Sequence, residues 1–114
     1  MAATGQNFTI YQGDDNVPIQ FTIVDDAGVV LDVSTAQFTW ALAKKLRGVP
    51  LVTKTLADDV NLSDPTNGVI QIVFRAADTE NIHGEYQHEL VMVLDGETLT
   101  VAVGTVTIEY STIK

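Results

Sequence analysis

The segment Val17-Pro18-Ile19-Gln20-Phe21-Thr22-Ile23 decides the fold class, because its apolar residues fall at every second position. A β-strand points successive side chains to opposite faces of a sheet, so a period of two gives this segment one apolar face. Pro18 has no N–H to donate to a neighbouring strand, which places it at a strand start or on a sheet edge. The segment therefore predicts a β-strand with one buried face.

The same alternation recurs along the chain in short runs separated by Asp, Gly, Asn and Pro. The other predicted strands are Phe8–Ile10, Val29–Val33, Phe38–Leu42, Leu51–Leu56, Val69–Phe74, Tyr86–Met92 and a last strand that begins at Leu99. Residues 76–82 show no alternation and predict one short helical turn, ended by Gly84. In the last strand the apolar parity changes between Val103 and Val106, which predicts a β-bulge at Gly104.

About seven to nine short strands with turn signals every 8–12 residues predict an all-β, two-sheet antiparallel β-sandwich. A closed barrel is the structural alternative. Trp40 in a middle strand and Tyr86 at the start of a late strand resemble the immunoglobulin core tryptophan and tyrosine corner, so the sandwich is expected to be immunoglobulin-like. The Tyr86 hydroxyl is then expected to bond to backbone near Asp78–Ile82. The 114 residues suit a single domain over residues 8–114, preceded by a flexible arm over residues 1–7.

Charge and composition limit the classes of binding partner that are expected. Fifteen acidic and six basic residues give a net charge of −9, which repels nucleic acid and anionic membranes, so neither is expected as a partner. Colloidal solubility is the simpler explanation for the same charge. The chain has no cysteine, which excludes disulfides and thiolate zinc sites. No secretory signal pattern and no apolar run of about 20 residues is present, so the protein is expected to be soluble when made.

Few residues are candidates for catalysis or metal binding. The Asp pairs at 14–15, 25–26 and 58–59 favour local hydrogen bonds in turns, with calcium binding as the alternative. His88 is expected to be a hydrogen-bonded core histidine, half-buried, and His83 to be solvated. The sequence contains no nucleophile elbow and no phosphate-binding loop. These patterns predict a protein that is not an enzyme and needs no cofactor or metal; a hydrolase is the least supported hypothesis.

The segment Lys44-Lys45-Leu46-Arg47 carries half of the basic residues of the chain at the end of a predicted strand. In an acidic protein such a basic tip is a candidate for binding an acidic neighbour through Lys44, Lys45 and Arg47. A solvated turn is the alternative.

Several segments taken together resemble one known family. They are Ile10–Asp15, Asp25–Gly28, Leu62–Val69 and Gly84–Tyr86, in this order and spacing. The series resembles the immunoglobulin-like domain of tailed-phage virion proteins, including the N-terminal domain of baseplate upper proteins. The resemblance implies a structural protein that occurs in many copies in the virion and attaches to capsid, neck or tail and baseplate proteins. A carbohydrate-binding or adhesion module is the alternative function.

Overall fold

The computed structural model describes residues 6–45 and 48–110. It contains eight strands, one short α-helix and one 3₁₀ turn at Pro65–Asn67, which confirms the predicted all-β sandwich. The strands are β1 (Phe8–Tyr11), β2 (Val17–Thr22), β3 (Gln37–Ala43), β4 (Pro50–Thr55), β5 (Val60–Asp64), β6 (Val69–Phe74), β7 (Gly84–Leu94) and β8 (Glu97–Glu109). The helix α1 covers Ala76–Thr79, so the predicted helical turn is present and shorter than residues 76–82.

The strands form two sheets, in the orders β1-β8-β7-β3-β4 and β2-β6-β5. Immunoglobulin domains place strands B, E and D in one sheet and C, F and G in the other. Strands β2, β6 and β5 occupy the first set of positions, and β3, β7 and β8 occupy the second. β4 extends the second sheet beside β3, as C′ does in variable-type domains. The strand order is therefore immunoglobulin-like.

The expectation of a wholly antiparallel sandwich is wrong at one edge. β1 pairs with β8 in parallel, with Phe8 opposite Val106. β1 and the next strand in the chain lie in different sheets, so no hairpin dictates the direction of β1. All other strand pairs are antiparallel. Pro18 lies in β2, an edge strand, where the missing N–H costs no ladder hydrogen bond.

The core fills the space between the two sheets with alternate side chains of each strand. Trp40 is fully buried at the centre and meets the ring of Phe74 edge-on, with 5.0 Å between the ring centroids. Other large buried side chains include Phe38, Leu42, Ile70, Ile72, Leu90 and Met92. Because no cysteine is present, this packing holds the sheets together without a disulfide.

One predicted strand is wrong, and one observed strand was not predicted. The stretch Val29–Val33 forms only an isolated bridge between Val30 and Val24, because its N–H groups bond to different loops: Leu31 donates to Ile23 and Val33 to Pro65. β5 was not predicted, since its sequence Val-Asn-Leu-Ser-Asp contains mostly turn-forming residues.

The predicted β-bulge exists at another position. Leu90 lies opposite Ala102 and Val91 opposite Thr100, so Val101 is the extra residue. Val101 and Ala102 are consecutive and both buried. The extra residue of a bulge shifts the alternation by one position, so the inward-facing residues after it have the opposite parity. The bulge therefore precedes Gly104 by three residues.

Candidate functional site

A polar network lies inside the apolar core. Trp40 donates its indole N–H to Nδ1 of His88 over 3.1 Å, and His88 Nε2 lies 2.5 Å from the carbonyl oxygen of Gln6. Because Nδ1 accepts a hydrogen bond, the proton of the neutral ring is on Nε2 and is donated to Gln6. His88 is 1% exposed, so it is more deeply buried than expected. The network leaves neither ring nitrogen of His88 without a partner.

Aromatic rings surround His88. The ring centroids of Phe8, Phe21 and Trp40 lie 4.9, 6.0 and 5.9 Å from that of His88. Burial lowers the pKa of His88 from its usual value of 6.5, and the hydrogen bond to the Gln6 carbonyl opposes this effect. The imidazole is therefore neutral at physiological pH.

The residues before β1 are attached to β8. The N–H of Gln6 donates to the carbonyl of Val103, and the N–H of Thr105 donates to the side chain of Asn7. A Cβ at Gly104 would lie 2.2 Å from the Gln6 carbonyl oxygen, so only glycine permits this approach. Of the predicted flexible arm, residues 1–5 lie outside the described residues, while Gln6 and Asn7 contact the sandwich.

A cluster of charges joins the two sheets. Lys54 of β4 is 2% exposed, and its ammonium lies 3.1 Å from Asp59 and 2.8 Å from Asp78. Arg75 also binds Asp59, through Nε and Nη2 to one carboxylate oxygen. The hydrogen bond from Arg75 lowers the pKa of Asp59, and the nearby Lys54 lowers it further, against the effect of burial. The cluster ties β4 to the segment after β6.

The cluster was missed in the sequence, although a signal was present. Lys54 has the same strand parity as Val52, whose side chain faces inward opposite Leu42. An inward-facing lysine requires buried carboxylate partners. Asp59 follows Lys54 in the connection to β5, whereas Asp78 lies in α1, after β6. The strand pattern alone did not show that these two carboxylates meet at Lys54.

Tyr86 forms the expected contact with upstream backbone, one residue later than expected. Its hydroxyl donates to the carbonyl of His83 over 3.0 Å. Gly84, at φ 100°, turns the chain at the start of β7, next to the His83 carbonyl that accepts this bond. The ammonium of Lys44 lies 4.7 Å from the centre of the Tyr86 ring, in a cation–π contact.

The remaining candidate residues are dispersed. Lys45 is exposed, and Arg47 lies outside the described residues. Asp25 accepts the N–H groups of Ala27 and Val29, which is a turn-stabilising role. Asp15, by contrast, accepts the N–H of Ala76, so it connects the turn after β1 to the distant start of α1.

Two further findings concern sites and membranes. Among residues 6–45 and 48–110, no group of three or more His, Cys, Asp or Glu side chains is placed to hold a metal ion. Within the same ranges, no helix has the length and apolar character required to cross a membrane.

The broadest regular surface is the outer face of the five-stranded sheet. Outward-facing side chains at its centre mix small, polar and β-branched residues: Thr39 and Ala41 of β3, Gln87, Glu89 and Val91 of β7, and Val103 and Thr105 of β8. Five strands spaced about 4.8 Å apart and about seven residues long give a plan area of roughly 550 Å². This is the same order as the ~800 Å² that each partner contributes to a stable protein interface.

Comparison with protein-family models and with curated proteins finds no match for this sequence.

Proposed function

We propose that this chain is a non-enzymatic structural protein of a tailed-phage virion. It is an immunoglobulin-like domain present in several copies, made in the host cytoplasm and attached to capsid, neck, or tail and baseplate proteins in the particle. The outer face of the five-stranded sheet carries the proposal, because a broad, regular face of mixed polar and short apolar side chains suits a protein partner better than a small ligand. This face needs no cofactor or metal to bind.

The family resemblance gives separate support. Ile10–Asp15 covers the end of β1 and the following turn, Asp25–Gly28 is the turn after β2, and Leu62–Val69 contains the 3₁₀ turn. Gly84–Tyr86 begins β7. The similar segments therefore set the chain reversals of the sandwich, and their order follows the immunoglobulin-like strand order.

A pair of glutamine substitutions tests the outer face. Gln87 lies on β7 inside the five-stranded sheet, and Gln71 lies on β6, the central strand of the three-stranded sheet. Both alternate with buried neighbours, so both point outward. Gln87→Arg should reduce incorporation into purified particles at least tenfold, while the control Gln71→Arg should be incorporated as the wild type is. Equal incorporation of the two folded variants would exclude this face.

The basic tip stays a second predicted contact. Reversing the charges of Lys44, Lys45 and Arg47 to Glu is expected to reduce incorporation without loss of folding. Deletion of residues 1–5 tests the N-terminal arm and retains Gln6, whose carbonyl bonds to His88. Unchanged incorporation of both variants would exclude these segments as the attachment points.

A carbohydrate-binding or adhesion module is the second candidate function. Tyr110 is 65% exposed and stacks on His83 with 4.4 Å between the ring centroids, and Tyr11 is also exposed. Exposed aromatic rings present apolar faces to a ligand. Binding to a glycan array that is lost in Tyr110→Ala would support this function over the first.

A further inference from the structure

The two sheets differ in length along the strands. β7 and β8 have 11 and 13 residues, whereas β2 and β6, which face them, have six each. At about 3.3 Å per residue the hairpin of β7 and β8 is longer than the opposite sheet by at least about 16 Å. The inward face of the hairpin is therefore incompletely covered by strands, and Leu99, opposite Met92, is 36% exposed.

A groove lies at this uncovered end, referred to below as the hairpin groove. Its apolar lining comes from Val24, Leu31, Met92, Leu99 and Val101, and its rim carries Asp25 and Asp26. Val29 and Val30, in the connection that follows the Asp25–Gly28 turn, are exposed beside it. The groove is wide enough for part of a side chain and is lined by more apolar than polar atoms.

The charges around the hairpin groove have one sign. The connections at this end carry Asp25, Asp26, Asp32 and Asp95, and the adjoining strand ends carry Asp64 and Glu97. None of the lysines or arginines in residues 6–45 and 48–110 belongs to these segments. Asp25, Asp32 and Asp64 accept hydrogen bonds within their own turns. Asp26, Asp95 and Glu97 are exposed. An apolar groove beside these carboxylates attracts a cationic partner.

We propose that the hairpin groove binds a segment of another protein in which an aliphatic side chain is flanked by Lys or Arg. The aliphatic side chain enters the groove beside Leu99, and the flanking cations pair with Asp26 and Asp95. A second copy of this chain is the less suitable occupant, because two copies with a net charge of −9 each repel one another. The inference goes beyond the proposed function and holds for any protein partner of this chemistry.

Peptide probes test the proposal on the whole chain. The probe is the blocked pentapeptide Lys-Lys-Leu-Lys-Lys, with Lys-Lys-Ser-Lys-Lys as its control, added to ¹⁵N-labelled protein at low salt. The leucine peptide should shift the amide signals of Val24, Leu31 and Leu99 and bind several-fold more tightly than the serine peptide. Equal affinity of the two peptides would overturn the proposal, because the apolar lining would then contribute nothing.

Charge variants of the protein complete the test. Asp26→Asn with Asp95→Asn should weaken binding about three- to tenfold. Asp95 has φ 53°, a conformation that asparagine accepts readily. Glu85→Gln with Glu89→Gln removes the same charge from the outer sheet face and should change binding less than twofold. Equal weakening of peptide binding by both pairs of substitutions would overturn the proposal. So would amide signals of the groove that shift with protein concentration in the absence of peptide, because that result would identify another copy of the chain as the occupant.

Discussion

Replacement of His88 by leucine tests the polar network in the core. Leucine fills most of the space of the imidazole but leaves the Trp40 N–H without an acceptor and the Gln6 carbonyl without a donor. Each buried polar group that loses its partner costs about 1–3 kcal/mol, and the more apolar side chain recovers about 1 kcal/mol. We therefore expect His88→Leu to lower the free energy of unfolding by about 1–5 kcal/mol, against the ~5–15 kcal/mol typical of a domain.

The measurement is urea unfolding followed by far-UV circular dichroism, in a cycle with Trp40→Phe. The double variant lacks both the indole N–H and its acceptor, so its loss should be smaller than the sum of the single losses by about 1–2 kcal/mol. Additive losses would show that the bond between Trp40 and His88 contributes nothing.

His88→Leu should also change how the free energy of unfolding depends on pH. The pKa of His88 is lowered by burial in the folded state and stays near 6.5 in the unfolded state. The unfolded state then binds more protons, so stability is full above about pH 6.5 and falls as the pH drops below it, until the folded-state pKa is passed. Between about pH 7.5 and about pH 5, His88→Leu should lose less stability than the wild type. If the wild type and His88→Leu had equal urea midpoints at neutral pH and stabilities that fell in parallel with pH, His88 would not have this buried, hydrogen-bonded role.

Three other substitutions have defined expected effects. Trp40→Ala should lower the free energy of unfolding by about 3–5 kcal/mol through the cavity it leaves, and the wild type should show the short-wavelength emission of a buried indole; emission typical of exposed tryptophan would contradict this burial. Tyr86→Phe should cost about 1 kcal/mol, because it removes the hydrogen bond to the His83 carbonyl, and identical urea midpoints would show that this bond is unimportant. Lys54→Met should lower the free energy of unfolding by about 2–3 kcal/mol. This is less than the ~3–5 kcal/mol for breaking a fully buried pair, because Asp59 remains paired with Arg75 and is partly solvated. A variant as stable as the wild type would show that the cluster does not stabilise the fold.

The strand pattern was largely predictable because it depends on local alternation. The two-residue period of Val17–Ile23 and of Val69–Phe74 predicted strands that pair with each other in the structure. The prediction failed where apolar residues lie in an irregular connection, as in Val29–Val33, whose N–H groups bond to other loops. It also failed at Gly104, where a glycine that admits the Gln6 backbone was interpreted as the site of a bulge. Both failures concern backbone contacts between distant segments.

The contacts at the candidate sites were likewise predictable only where they are local in sequence. Turn chemistry correctly predicted that Asp25 would accept local backbone N–H groups, since such bonds involve few residues. For Asp15 it did not predict the observed partner, because this side chain accepts the N–H of Ala76 from a distant segment. The ion-pair cluster around Lys54 and the hairpin groove were not predicted, because each combines residues from strands and connections that are separated in the sequence.

The sequence by itself determined the class of this protein: an acidic, cysteine-free chain whose period-two pattern specifies a sandwich with Trp40 in its core. Only the tertiary structure decided the parallel pairing of β1 with β8, the attachment of Gln6 to His88 and the partners of Lys54. The difference has a physical cause. Alternation and turn preference act between residues a few positions apart, whereas sheet order and buried polar pairs depend on which distant segments pack together.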